Sequence, residues 1–403
     1  MPDKPKDLEG SEKEQSLIAS CPASETRAER RARRRALKKD PFAAAGVRED
    51  DEFAEEALAA ERAFNKKVPL WAKVAIAVAF AVVFFASFML GRYGLTPSEW
   101  FYGIYDHIMH AIDPTWPYFD LERDNILFQI RFPRIIVVLL AGAALAVAGA
   151  SYQGMFKNPL VSPDILGASA GASFGACLAL LLDLGNVYVQ IFAFVGGMAA
   201  VGLAVWLNRL VKYDAILGLV LGGILVSTLF SSGTSIIKLL ADSNDKLPAI
   251  TFWLMGSFAS IDREQMLAII LPMIGGFVLL LLNSWKLNVL SFGDEEARSM
   301  GINTKRVRLV VIFASTLIVS CSVAVAGIVG WVGLVIPHFA RAIVGPNYRV
   351  LLPASMAIGA SFLLVVDDIA RLMLTVEIPI GILTSLLGVP FFIIIYRRNM
   401  RGW

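Results

Sequence analysis

The sequence predicts an all-α polytopic membrane protein with about ten transmembrane helices, and three observations carry that prediction. Of the 403 residues, 56% are hydrophobic and 18% charged, with a mean hydropathy of +0.63, so lipid rather than water is the main solvent of this chain. Windows of about 20 mostly apolar residues, long enough to cross a bilayer, lie near 70–90, 132–150, 165–182, 187–207, 215–238, 265–283, 308–326, 329–344, 350–371 and 379–396. Small residues recur inside them. Gly142, Gly149, Gly167 and Gly171 let helices approach closely in lipid, where packing rather than burial from water drives association, and they imply a dense bundle.

Taken in order, residues 1–65 differ from everything that follows. They combine the basic run Arg30-Arg31-Ala32-Arg33-Arg34-Arg35 with acidic Glu49 to Glu56, a mixture that cannot bury enough apolar surface to fold alone. They are expected to form a charged, disordered cytoplasmic tail, and residues 66–403 the membrane domain. No apolar run precedes Trp71, so no cleavable signal peptide is expected. His107 and His110 fall in 100–112, where aromatic and apolar residues recur at helical spacing. A His-x-x-His pair without a third ligand reads as a surface helix at the headgroup level rather than a metal site.

An even number of spans puts both termini on one side, and the Lys/Arg bias decides which. Beyond residue 65, sixteen basic residues fall on the side of the termini, Lys157, Arg298, Lys305 and Arg341 among them, against eight on the other, including Arg131, Arg134, Lys246, Arg263 and Arg371. Both ends are therefore expected in the cytoplasm. Arg131 and Arg134, three apart around Pro133, fit a helix start, where the missing proline N–H does no harm.

The second and third spans are joined through Asn158-Pro159-Leu160, where proline disfavours continued helix. Ala146-Val147-Ala148-Gly149 recurs as Ala324-Val325-Ala326-Gly327, and at the same offset Pro159 matches Pro337 and Gly167 matches Gly345. This is a weak repeat whose copies would enter the membrane in opposite directions, a design many transporters share. Cys21, Cys177 and Cys321 have no metal or disulfide spacing; Cys177 and Cys321 lie in spans and read as small hydrophobes. His338 follows Pro337 in a span and reads as polar packing against a neighbouring backbone.

Between the sixth and seventh spans, 284–306 contains Ser291-Phe292-Gly293-Asp294-Glu295-Glu296-Ala297-Arg298-Ser299-Met300-Gly301-Ile302. Its acidic residues suit the positive end of a short helix dipole, and Gly301 can stop that helix. Ionisable groups near span midplanes are lacking: Asp183 lies at an end, and Asp367, Asp368 and Glu377 lie near the outer surface. An ion-coupled carrier needs such a group, so that class is disfavoured, as is an intramembrane enzyme. A non-transporting scaffold or sensor remains the other alternative. Nothing calls for a nucleic-acid partner.

Arg131-Phe132-Pro133-Arg134, Gly154-Met155-Phe156-Lys157-Asn158-Pro159-Leu160, Gly167-Ala168-Ser169-Ala170-Gly171, Gly333-Leu334-Val335-Ile336-Pro337-His338, Ile378-Pro379-Ile380-Gly381-Ile382 and Gly388-Val389-Pro390-Phe391 together resemble the permeases of ABC importers for iron-siderophores, haem and cobalamin. The ordered set runs from about Leu95 to Arg398 and leaves out the tail. The resemblance implies a homodimer of ten-span inner-membrane subunits, two cytoplasmic ATPase subunits and an extracytoplasmic binding protein. The chain lacks any Gly-Lys pair and hence a phosphate-binding G-x-x-x-x-G-K-[ST] loop, so ATP and Mg belong to the partner ATPase and this chain binds no cofactor or metal.

The resemblance also implies site roles. Asp294, Ala297, Arg298, Met300 and Gly301 match the segment that couples the permease to its ATPase; Asn158, Pro159 and Leu160 match an inner gate. Arg131, Arg134 and Arg371 are expected to face outward as exposed guanidinium groups that pair with carboxylates of the binding protein. The cargo is expected to be a metal chelate, an iron-siderophore first, moved inward by alternating access along a path lined by Ala, Gly, Leu, Ser and Thr of 215–238 and 379–396.

Overall fold

The computed structural model describes residues 68–399 apart from 92, 114, 117–119 and 211–214; the tail expected over 1–65 lies outside the described residues. Helix α1 spans Leu70–Met89. Helix α2, Pro97–Ile112, opens on a capping box in which the Thr96 hydroxyl accepts the Glu99 N–H at 3.3 Å and the Glu99 carboxylate accepts the Thr96 N–H at 2.8 Å. This satisfies two donors that every helix start leaves open. The α2 sequence is too short and polar to cross a bilayer, and it buries no residue.

A short α3, Leu121–Asp124, runs through a π-helical stretch, Asn125–Arg131, into α4, Phe132–Phe156. Lys157, in the left-handed conformation at φ 51°, ends α4. A 3₁₀ turn, Pro163–Leu166, leads to Gly167 at φ +87° and α5, Ala168–Leu181. Then follow α6, Asn186–Leu210; α7, Ala215–Leu240; α8, Lys246–Met255; and α9, Arg263–Leu282. Two short helices, α10 at Ser284–Phe292 and α11 at Asp294–Ser299, precede α12, Thr304–Ala326. Last come α13, Val332–Val344; α14, Tyr348–Leu372; and α15, Ile380–Asn399.

Seven of these segments are long and apolar enough to cross a membrane, and three shorter apolar helices, α5, α13 and residues 380–393, complete the set. Each expected window thus holds a helix. The second span begins earlier than expected, since its apolar segment extends back to Leu121, because the π-helical stretch continues the helical backbone through Arg131 without a break.

Burial separates centre from rim. In α4, 89% of the most apolar window is buried and in α12 78%, against 17% in α1. Small residues place α4 there. A Cβ added at Gly142 would collide with the Gly359 carbonyl of α14, and one at Gly149 with the Gly333 carbonyl of α13. Likewise Gly171 of α5 lies against Gly196 of α6. Backbones in such contact gain dispersion energy that bulkier side chains would block.

The matched repeat positions have different local conformations. Ala146–Gly149 lies inside α4, whereas Gly327 ends α12 at φ +70°. Pro159 is in a loop and Pro337 inside a helix; Gly167 precedes a helix and Gly345 follows one. Both Ala-Val-Ala-Gly copies lie in the two most buried spans, α4 and α12, the second copy closing its helix at Gly327.

Candidate translocation and docking sites

At the end of the bundle where α4 begins and α14 ends, the three arginines expected to be exposed are buried. Arg131, Arg134 and Arg371 retain 4%, 6% and 7% of their exposure. Arg134 forms a fork: its Nη2 lies 2.8 Å from Asp367 Oδ1 and 2.8 Å from Glu377 Oε2, and its Nη1 donates to Glu377 Oε1 at 2.9 Å. Arg371 Nε lies 3.2 Å from the other Asp367 oxygen, and its Nη2 donates to Asp368, which also accepts from the Ser87 hydroxyl. Arg131 donates to the Phe88 and Tyr93 carbonyls at and beyond the end of α1.

The exposure expected of these three arginines is thereby corrected, for a physical reason. Three cations and the three anions Asp367, Asp368 and Glu377 form a neutral set, and desolvated charges are tolerated where they are paired and hydrogen-bonded. The guanidinium groups tie α1, α4 and α14 together, and contact with a partner's carboxylates would require breaking these pairs. Exposed Arg263, at the start of α9, is a basic residue that remains open to a partner.

In the loop after α4, Asn158 Oδ1 accepts the Leu160 N–H at 2.9 Å, closing a tight turn, and leaves Leu160 exposed. His338 Nε2 lies 2.9 Å from the Pro159 carbonyl, which it can meet as a donor. Gln153 Nε2 donates to the Leu334 carbonyl and its Oε1 accepts from Arg341 Nη2, both at 3.2 Å. The expected polar packing of His338 is thus present: α13 holds the Asn158-Pro159-Leu160 turn against the end of α4. Asp164, half-buried beyond the turn, accepts from the Ser169 hydroxyl.

Around α11, the five expected coupling residues divide by what they touch. Arg298 and Met300 are exposed. Ala297 is fully buried, and its carbonyl accepts the Ile302 N–H at 2.9 Å; it anchors the helix rather than meeting a partner. Gly301 supplies φ +77° for the turn, which a residue with Cβ adopts poorly. Asp294 Oδ1 lies 2.6 Å from Nη2 of buried Arg308 on α12. Arg308 was not among the residues singled out from the sequence, because it follows Lys305 and Arg306 in the same basic helix start and only the fold shows that it alone of the three is buried.

A cleft of about 720 Å³ opens where the end of α8, the 328–330 segment and α15 meet, lined by Leu254, Met255, Ile328, Gly381, Ser385 and Val389. Its walls are mostly large apolar side chains with Gly381 and Ser385 among them, and residues of 215–238 do not line it. Such a surface offers no charged group to grip a ligand. Cys177 and Cys321 are buried and free. His107 Nδ1 lies 2.7 Å from Asp124 Oδ1 with its ring stacked on Phe128, and His110 Nδ1 lies 2.8 Å from the Trp116 carbonyl, so each histidine has a partner that a structural role explains.

A family model described as the FecCD transport family matches residues 79–398. The molybdate import system permease protein MolB of Haemophilus influenzae is 40% identical over 283 residues, 70% of this chain and 84% of that protein. The hemin transport system permease protein HmuU of Yersinia pestis is 34% identical over 287 residues, 69% of this chain and 85% of that protein. A solved structure described as an inward-facing ABC transporter of metal-chelate type is 36% identical, with a TM-score of 0.71 over 81% of this chain and 98% of that one.

Proposed function

Because the chain belongs to the FecCD transport family and is a multi-pass permease subunit of the ABC importer type, we propose that it carries a metal-containing small molecule inward, released by an extracytoplasmic binding protein and driven by two ATPase subunits. The observation that supports this most directly is α11, a short helix with Arg298 and Met300 exposed beside the spans. Two copies of the chain would enclose the path, each contributing one apolar cleft beside α15. A weakly polar wall suits an importer that must release what a binding protein captured tightly.

An iron-siderophore is the proposed cargo, with haem and cobalamin the other chelates to be tested. The oxyanion carried by the molybdate relative makes molybdate a necessary fourth arm. The test is uptake into vesicles containing the chain, its ATPase and its binding protein, offered each compound separately. Uptake of one chelate alone identifies the cargo, and uptake of none with normal ATP hydrolysis refutes the chelate proposal.

Docking of the ATPase on α11 makes a separate expectation. Replacing Arg298 and Met300 with Ala should reduce co-purification of the ATPase at least about tenfold, as loss of exposed anchor residues costs roughly 1.4 kcal/mol or more, without changing the folded yield of the permease. Undiminished co-purification would remove the assignment.

We place both termini in the cytoplasm on the excess of basic residues there. In a Cys21→Ser background, Tyr102→Cys should react with an impermeant maleimide added to whole cells, whereas Glu295→Cys should react only after permeabilisation; both positions are exposed. The reverse pattern would invert the orientation.

A further inference from the structure

Helix α11 is anchored by buried Ala297, and one ion pair joins it to α12. The first residue of α11, Asp294, meets Arg308 Nη2 at 2.6 Å. Arg308 is buried and its Nε has no partner, so the Asp294 carboxylate is the counter-ion of a desolvated guanidinium, an interaction that is costly to break. Arg308 sits near the start of α12, whose 23 residues span about 35 Å at 1.5 Å per residue, enclosed along most of their length.

The far end of α12 meets two other segments by backbone contact. The Ala326 carbonyl accepts the Ser257 N–H at 2.8 Å, and the Gly256 carbonyl accepts the Ile380 N–H at 2.9 Å. Gly327 lies against Gly256 and the Trp253 carbonyl so closely that a Cβ there would collide with both. Gly381, the next residue of α15, packs on the Met255 and Ile328 carbonyls and lines the apolar cleft. A continuous set of short contacts therefore runs from α11 through Arg308 and α12 to the cleft wall.

We propose that Arg308 is a positioning residue that fastens the ATPase-docking helix to α12, making α12 a strut that carries movement of α11 to the Gly256–Gly327–Ile380 junction at the cleft. The inference rests on the reading of α11 as the docking helix. The two ends of the strut are an ion pair between buried Arg308 and half-buried Asp294 on one side, and backbone-on-backbone contact on the other.

The test uses the full chain with its ATPase in vesicles, in a Cys21→Ser, Leu386→Cys background. Leu386 is exposed in the cleft, and its labelling rate by a water-soluble maleimide is compared with and without ATP and vanadate. Arg308→Asp should leave ATPase co-purification intact and reduce the nucleotide-dependent difference at least fivefold. Arg308→Asp with Asp294→Arg should restore it, which a role in stability alone would not produce. Arg308→Gln, which keeps size without charge, stands in if the reversal fails to fold, with the same loss expected.

A full nucleotide response in Arg308→Gln or Arg308→Asp, a double exchange that folds without restoring the response, or loss of ATPase binding in the single variants would overturn the proposal. If the unsubstituted chain binds no ATPase, the reading of α11 fails, and the strut with it. If it binds ATPase and labelling never responds to nucleotide, the docking reading stands and the strut alone is refuted.

Discussion

Replacing Arg134 with Met is expected to lower the apparent Tm of the detergent-solubilised chain by on the order of 10 °C, because removing one partner of a buried ion pair costs about 3–5 kcal/mol. The loss leaves Asp367, which has no exposed surface, and Glu377 without their shared cation. Arg134→Lys should cost less, since it keeps the charge and loses the fork that meets two carboxylates at once. Arg134→Met combined with Asp367→Asn should cost less than the sum of the separate changes, because both remove the same ion pair. Thermal unfolding followed by tryptophan fluorescence measures all three, and an unchanged Tm in Arg134→Met would show that solvent reaches the carboxylates.

Gly149→Leu is expected to abolish accumulation of folded protein. A Cβ at 149 already collides with the Gly333 carbonyl, so the larger side chain must drive α13 from α4, and with it His338 and Arg341, which hold the Asn158-Pro159-Leu160 turn and Gln153. Overpacking a well-filled core costs about 1–3 kcal/mol when side chains can adjust, and here the obstacle is backbone. Gly275→Leu is the control, since nothing lies within 4 Å of a Cβ there. Size-exclusion profiles of the two variants check the expectation; a monodisperse Gly149→Leu peak at wild-type yield would contradict it.

The spans were legible because apolar length is a local property: each window of the sequence holds the helix that fills it. Close packing was legible at Gly142, Gly149 and Gly171, where small residues stand among larger ones. The short helix opened by Asp294 was legible for the same local reason, from its acidic first turn. The arginine cluster was not. Arg134 and Asp367 are 233 residues apart, and Arg134 and Glu377 are 243 apart; no periodicity connects them. The lone cations at 131, 134 and 371 were legible as features, but whether they point to solvent or to one another is decided by the assembled bundle. Helix α10 and the π-helical stretch before α4 depend in the same way on neighbours.

The separation of those partners along the chain sets a timetable for synthesis. Arg131 and Arg134 leave the ribosome more than two hundred residues before Asp367, Asp368 and Glu377, an interval on the order of tens of seconds at about 5–20 residues per second. During it Arg131 can already meet the Phe88 and Tyr93 carbonyls, whereas Arg134 has neither of its carboxylates, and the inexpensive place for it is the aqueous boundary, with the side chain extended toward water. Arg134 can turn inward to its paired position only after the ninth span has arrived. A chain truncated before Asp367 would therefore lack the group that completes its second helix, although that helix was made long before.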